Sequence, residues 1–498
     1  MQKINFKIIA HLLGILMLFN GGLMLSAVLV SILTKDGTSY PLALAAFLIL
    51  GLGGLITLAT RSDQLQIYRR EGYLIVTLGW LTMALTGMLP YLFTGSLSSF
   101  SAAFFETISG YTTTGASVIA NVEALPEGLL FWRSMTHWIG GMGIIVLALA
   151  ILPLLGIGGM QLFTAEAPGP SGDKLHPRIT DTAKRLWLIY LGYTLAETAM
   201  LYFAGMSLFD AVNHAMSTLS TGGFSTKNNS LAFWNDTPLI QYIVIFFMLV
   251  AGSNFVLSYF AFTGKLQSIF KDEEWKTYLG FIFVFTLLSC TLLYYYQLPL
   301  GEGFTYPQVY GAVESYFRHS LFQVTALITT TGFVSADLMT VFPLLTVLLF
   351  GLMFLGGSAG STSGGIKIVR HLLMIRSGFL EFKRALHPNA IIQTRYNNKV
   401  VNEKIVYNIL GFFILYMLSF IIGTLGFALM GFDFTSALGV AAATLGNVGP
   451  ALGVFGPDAT YAALPGYGQL WAALLMLIGR LELFTVLILF TPFFWGKR

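Results

Sequence analysis

Charge is scarce in this chain. Of 498 residues, 27 are Lys or Arg and 23 are Asp or Glu, 10% in all, where a soluble domain carries about a quarter. That scarcity excludes the string of soluble domains that the length alone would allow. Cysteine is scarcer still. Cys290 is the only one, so an intrachain disulfide and a thiolate metal cluster are both excluded. Nucleotide-binding signatures are missing too, with no Walker A sequence and no Rossmann glycine pattern. There is no HExxH and no carboxylate pair on one helical face. An intramembrane enzyme built on Glu482, Arg480 or His137 therefore has nothing behind it beyond polar residues in apolar context. The chain is read as no enzyme and as carrying no cofactor. The net charge of +4 is not a nucleic-acid footprint; it reflects basic loops.

What is abundant is apolar surface. Hydrophobic residues make up 55% of the chain, and about ten segments reach or approach the roughly 20 residues needed to cross a bilayer. The first, 8–33, is too long for a signal-peptide core and lacks a small-residue cleavage site, so it is expected to stay as a spanning helix. The expected fold is an all-α polytopic membrane protein.

Four short stretches resemble one another: Thr112-Thr113-Thr114-Gly115, Leu219-Ser220-Thr221-Gly222, Thr329-Thr330-Thr331-Gly332 and Ala443-Thr444-Leu445-Gly446. Their glycines are 107, 110 and 114 residues apart. Each follows a short amphipathic run (100–109, 209–217, 315–327, 434–442) and precedes a long apolar one. Internal repetition of this kind organises a fold. Each unit reads as helix, half-helix, filter-like loop, helix. The expected parts are an added N-terminal helix pair in 1–71, then repeats at 72–175, 176–270, 271–400 and 401–498, ten spans in total. The helices returning from the loops are expected at 129–155, 239–262, from 343 onward, and at 469–495.

Lys and Arg in the loops set the orientation. With a cytoplasmic N-terminus, the turns 61–71, 156–185, 263–276 and 376–404, Arg370 and both ends hold 21 of the 27 basic residues. Both termini are then cytoplasmic, and all four loops enter from outside. A cation leaving water needs replacement oxygens, which rings of backbone carbonyls supply. Glycine tolerates the dihedrals that expose them, and such backbone is allowed at membrane depth where it lines a cavity. Hydroxyls of Thr113, Thr114, Ser220, Thr221, Thr330, Thr331 and Thr444 can brace the loops or add coordination. One shared glycine per repeat implies a short filter with modest discrimination among alkali cations.

With these residues in place, the chain resembles the Trk/Ktr/HKT superfamily of cation channels and transporters, closest to the TrkH family of bacterial potassium-uptake membrane subunits. Further matches are Phe131-Trp132-Arg133, Trp138-Ile139-Gly140-Gly141-Met142-Gly143, the run 356–367, Ile478-Gly479-Arg480-Leu481-Glu482, and Asn447-Val448-Gly449-Pro450 after the fourth glycine. The resemblance implies K⁺ as the transported ion, bound at the filter residues including Asn447, with glycine in all four loops as the potassium-permeant pattern. It also implies a homodimer in the bacterial inner membrane and a cytosolic nucleotide-binding ring of the TrkA type. A coupled Na⁺ or H⁺ symporter, or a less selective Na⁺/K⁺ pathway, is the alternative.

Residues 343–355 would rise about 20 Å as a helix, short of the roughly 30 Å core. The run Gly356, Gly357, Ser358, Ala359, Gly360, Ser361, Thr362, Ser363, Gly364, Gly365 then falls inside the membrane. Such residues are poor helix formers, so an unwound loop is expected; the resemblance makes it the gate beneath the filter. Lys367, beyond it, either pairs with a carbonyl or snorkels, or takes part in gating. Arg480 is costly at its depth and is expected to face a partner or the pore; the resemblance makes it a barrier to cations. Glu482 is a poor direct partner for it, since residues two apart point to different helical faces. Glu106, Asp210, Glu314 and Asp433 would form an acidic vestibule or, first for Asp210 and Asp433, cap half-helices. Arg133 and His137 are read as packing anchors, and Asn254 and Glu197 as hydrogen-bonding between helices.

Overall fold

The first two helices, Phe6–Thr34 and Ser39–Ala59, pack as a tight antiparallel pair because glycines meet at their contact. A Cβ on Gly14, Gly21 or Gly53 would overlap the facing helix. Asp36 closes the turn between them. Its Oδ1 accepts from the Thr38 N–H (2.9 Å), and its Oδ2 reaches out to the Gly128 N–H at 2.7 Å. This computed structural model describes residues 4–61, 69–150, 179–301 and 304–496. The basic stretch 156–185 lies outside them as far as residue 178, as do the end of the expected 129–155 span and the boundary between the first two expected repeats.

The described residues are mostly helical, with one two-stranded hairpin, Arg395–Tyr396 paired with Lys399–Val400. Six helices are long and apolar enough to cross a membrane, or eight if each of two bent pairs counts as one span. The two further expected spans start at Glu127, whose helix runs up to the undescribed residues, and at Pro343, whose helix stops after ten residues.

Three of the return helices are broken rather than straight, which corrects the expectation of continuous spans at 239–262 and 469–495. Pro238–Ala251 and Phe255–Phe262 meet at 102°, and Gly466–Arg480 and Phe484–Phe490 at 112°. The first break falls at Gly252-Ser253-Asn254, where the Asn254 side chain accepts from the Val256 N–H and starts a new helix. This is a polar N-cap, not a contact between helices. The second falls at Glu482 and Leu483, both with left-handed φ (55° and 48°). The third separates Pro343–Leu352 from Ile368–Leu386 by the small-residue run. Residues 353–355, expected as helix, belong to that irregular segment, which is pinned across itself by a bridge between Leu355 and Ile366.

Asn5, Glu71, Arg70 and the C-terminal end converge on one face. The Asn5 N–H donates to Glu71 Oε1 (2.8 Å), and Arg70 Nη2 donates to the Gly496 carbonyl (3.2 Å).

Candidate functional site

Four short helices end near one another: Phe100–Tyr111, Leu208–Leu219, Ala312–Ile328 and Phe434–Leu445. After each, the backbone takes the same path. Thr112, Ser220, Thr329 and Gly446 cap the helix in near-helical geometry. Thr113, Thr221, Thr330 and Asn447 follow in the left-handed region (φ 51°, 55°, 55°, 53°). The next N–H, of Thr114, Gly222, Thr331 and Val448, turns back to the carbonyl five residues earlier at 2.8–2.9 Å. A left-handed glycine completes each corner: Gly115, Gly223, Gly332 and Gly449.

This corrects the sequence alignment in two repeats. Gly222 takes the place of Thr114, and Gly446 takes the place of Thr112. The glycines structurally equivalent to Gly115 and Gly332 are Gly223 and Gly449. Thr444 and Leu445 lie in the last turn of their helix, with Thr444 Oγ1 spent on the Val440 carbonyl at 2.6 Å. The fourth half-helix runs three residues beyond its expected end at 442, which moves the corner to Asn447-Val448-Gly449. Sequence reasoning thus passed over Gly223, Val448 and Gly449, although Asn447-Val448-Gly449 was itself a visible signal.

The corners close on one another. A Cβ on Gly115 would overlap the Gly222 carbonyl; on Gly223, that of Thr331; on Gly332, that of Val448; and on Gly449, that of Thr114. First meets second, second meets third, third meets fourth, and fourth meets first. Such a circuit needs four corners round one centre, with a carbonyl from each lying against its neighbour's glycine. The four glycines also line one cavity of about 110 Å³, together with Arg133 and Lys227. Asn447 Nδ2 donates to Thr114 Oγ1 (3.0 Å) and to the Met476 carbonyl (2.9 Å), tying the fourth corner to the first.

None of the described residues lining that cavity is acidic, although Asp210 lies 3.9 Å from Lys227, which does line it. Glu106 is buried against Arg133 (2.8 Å) and accepts from the Val118 N–H (2.9 Å). Glu314 pairs with Arg318 (2.8 Å). Asp210 sits three residues into its helix, exchanging bonds with the Ser207 cap (2.8 and 3.1 Å). Asp433 caps the last half-helix through the Ser436 N–H (3.2 Å). Arg133 also donates to the Ser225 carbonyl (3.0 Å), and His137 stacks on Phe224 with ring centroids 3.8 Å apart. Both anchor the back of the first and second corners.

Directly against the corners lies the run 353–367, buried along most of its length, with Gly360 exposed. The Gly364 N–H donates to Thr330 Oγ1 (2.7 Å), and Thr362 Oγ1 donates to the Leu219 carbonyl (2.9 Å). The Ser358 N–H donates to the Gly252 carbonyl (2.8 Å), a group freed by the helix break there. Gly357 N–H and Ser361 Oγ both bond Ser363 Oγ (2.9 and 2.7 Å) within the run. Gly360 and Gly365 turn through left-handed φ (73° and 65°), and Gly356 N–H reaches the Ile366 carbonyl (2.8 Å). Lys367 Nζ donates to the Ser363 carbonyl (2.5 Å), so it pairs with a carbonyl of the loop itself. Arg480 ends its helix with Nη1 on the Thr362 carbonyl (2.8 Å) and Nη2 towards Gly140 (3.4 Å). Glu482 bonds Arg370 instead (2.6 Å).

The TrkH family, described as cation transport protein, matches residues 42–298 and 308–497. The Trk system potassium uptake protein TrkH of Escherichia coli K12 is 40% identical over 497 residues, covering 99% of this chain and all of that protein. The protein of the same name from Vibrio parahaemolyticus is 40% identical over 497 residues, covering 99% of both. The crystal structure of the potassium transporter TrkH from Vibrio parahaemolyticus superposes with a TM-score of 0.88 at 36% identity, over 99% of this chain and all of that one.

Proposed function

Because this chain belongs to the TrkH family of cation transport proteins, we propose that it takes up K⁺ through a channel-like pore whose filter is the ring of four corners. The observation that carries this is the closed circuit of left-handed glycines, each against a neighbour's carbonyl. Such a ring offers peptide oxygens of Thr114, Gly222, Thr331 and Val448 in place of a cation's water. The cavity on the four glycines is the outer mouth. Thr113, Thr221, Thr330 and Asn447 precede the carbonyl ring and lie deeper along the same path.

The run 353–367 is the gate. It lies against Thr330 and Leu219 and fills the way on from the ring. Arg480, held on the gate's Thr362 carbonyl, sets a positive charge beside the path and raises the barrier to cations. In this reading the chain comprises an added N-terminal pair and four pseudo-repeats, at 72–175, 176–270, 271–400 and 401–498. Both termini face the cytoplasm of a bacterial inner membrane, in keeping with the basic turns. The protein works as a homodimer, and a cytosolic nucleotide-binding ring of the TrkA type moves the gate.

The test is the reversal potential of the reconstituted protein under opposed K⁺ and Na⁺ gradients, before and after Gly332→Ser. A K⁺-dominated potential that shifts towards zero selectivity, or a lost current with the fold intact, is expected. An unchanged potential with unchanged current would remove the ring from the permeation path.

A further inference from the structure

Glu274 is the second residue of the helix Glu273–Tyr295 and is 2% exposed. Its Oε1 accepts from the Ala359 N–H at 2.7 Å and from the Val369 N–H at 3.2 Å. Ala359 is a fully buried member of the gate run, and Val369 is the second residue of the helix Ile368–Leu386 that leaves it. Helix N-termini carry orphan N–H groups and a partial positive charge. Lys367, the residue at the cap position, supplies no side-chain acceptor. One carboxylate oxygen from a preceding helix therefore caps the helix and pins the loop at once.

The same helical turn is tied to the Arg395–Val400 hairpin. Asn397 Oδ1 accepts from the Glu273 N–H (2.9 Å), and Asn397 Nδ2 donates to Asp272 Oδ2 (2.9 Å). Arg376 Nη1 spans Glu273 Oε2 (2.5 Å) and the Arg395 carbonyl (2.8 Å). A displacement of the hairpin thus pulls on the turn that carries Glu274, and through it on Ala359.

We propose that Glu274 is a positioning residue that latches the gate shut, with the 395–400 hairpin as its lever. This rests on reading 353–367 as the gate. Releasing the latch frees two backbone donors and the loop between them while leaving every filter residue in place. Transport at rest then rises, and selectivity stays as it was.

The experiment uses the full-length protein in K⁺-loaded liposomes with no other protein present. K⁺ efflux at a fixed potential is compared for the wild type, Glu274→Gln, Glu274→Ala and a chain lacking residues 358–363. Glu274→Ala is expected to raise resting efflux about tenfold. Glu274→Gln, whose amide oxygen still accepts but carries no charge, is expected to raise it less. The K⁺-to-Na⁺ ratio stays at the wild-type value in both, which a merely structural loss would not achieve. Efflux at or below the wild-type level in Glu274→Gln, with the same elution profile, overturns the latch even where Glu274→Ala fails to fold. The loop deletion separates the two readings. If it raises efflux while the Glu274 variants do not, only the latch falls. If it too leaves efflux unchanged, the gate reading falls with it.

Discussion

At the scale of residues, two adjacent glycines in the second corner are needed for different reasons. Gly223 has φ of 81° and faces the backbone carbonyl of Thr331. A side chain there is strained by about 1–3 kcal/mol, and the overlapping atom belongs to a main chain that cannot step aside. Gly222 has ordinary dihedrals, and the obstacle to a Cβ is the ring of His137. Gly223→Ala is therefore expected to abolish K⁺ flux whether or not His137 is also shortened. Gly222→Ala should lose flux alone and regain much of it in combination with His137→Ala. Flux per folded protein, measured for the two single and two double variants, checks this. Asp36 gives a prediction in pH. Its partial burial alone would raise its pKa, but the Ser31 and Thr38 hydroxyls and the Gly128 and Thr38 N–H groups outweigh that and hold it below the ordinary value of 3.8. A carboxylate depressed in the fold contributes stability that is complete above its unfolded pKa and fades as pH falls through the folded one. Asp36→Asn should lower the melting temperature at neutral pH and flatten its fall in acid below about pH 4.

At the scale of elements, the sequence made the helices and the loop legible and left the breaks and the register hidden. The small-residue run 356–365 announced an unwound loop because ten such residues cannot hold a helix at depth. The break at Gly252-Ser253-Asn254 was masked by apolar residues on both sides, and its purpose is tertiary: it frees the Gly252 carbonyl for Ser358. The corner register was misread where a repeat carries two glycines, because the helix end decides which of them turns left-handed. The fourth helix persists to Leu445, three residues past its amphipathic signal. Partners distant in sequence were equally hidden, as with Glu482 and Arg370, 112 residues apart. Arg480 is the last residue of its helix and donates to Thr362 in the run 353–367; in the proposed function it both charges the path and holds the loop. Arg480→Gln is expected to increase K⁺ current several-fold at a fixed potential, a loss of roughly 1 kcal/mol or more from the barrier. Single-channel or macroscopic currents under symmetrical K⁺ provide the reading, and a reduced current from well-folded protein would count against the barrier role.

At the scale of the whole molecule, the N-terminal pair is coupled to the corners rather than merely attached. Asn20, buried in the first helix, accepts from the Tyr111 hydroxyl at 2.6 Å, and Tyr111 is the last residue before the first corner. The same Asn20 donates to Thr86 (2.8 Å), and Asp36 holds the Gly128 N–H. The first corner is thus fixed from behind by a helix that precedes every repeat. Tyr111→Phe leaves the Asn20 oxygen buried and unpaired, a cost of about 1–3 kcal/mol. It should lower the melting temperature by a few degrees, with K⁺ flux falling before the fold is lost.

The energetics of uptake follow from the same architecture. If, as proposed, the ring of peptide oxygens works with an uncoupled gate, one charge moves per ion, and inward movement gains about 2.3 kcal/mol per 100 mV. A tenfold ratio costs about 1.4 kcal/mol, so about 60 mV should sustain tenfold K⁺ accumulation. Liposomes clamped at such a potential, without ATP and without Na⁺ or proton gradients, should accumulate K⁺ to that ratio and no further. Accumulation that rises above the electrical limit when a Na⁺ or proton gradient is added would mean that a second ion travels with K⁺. The ring would then be one site on a coupled carrier's path, and the gate run its alternating barrier.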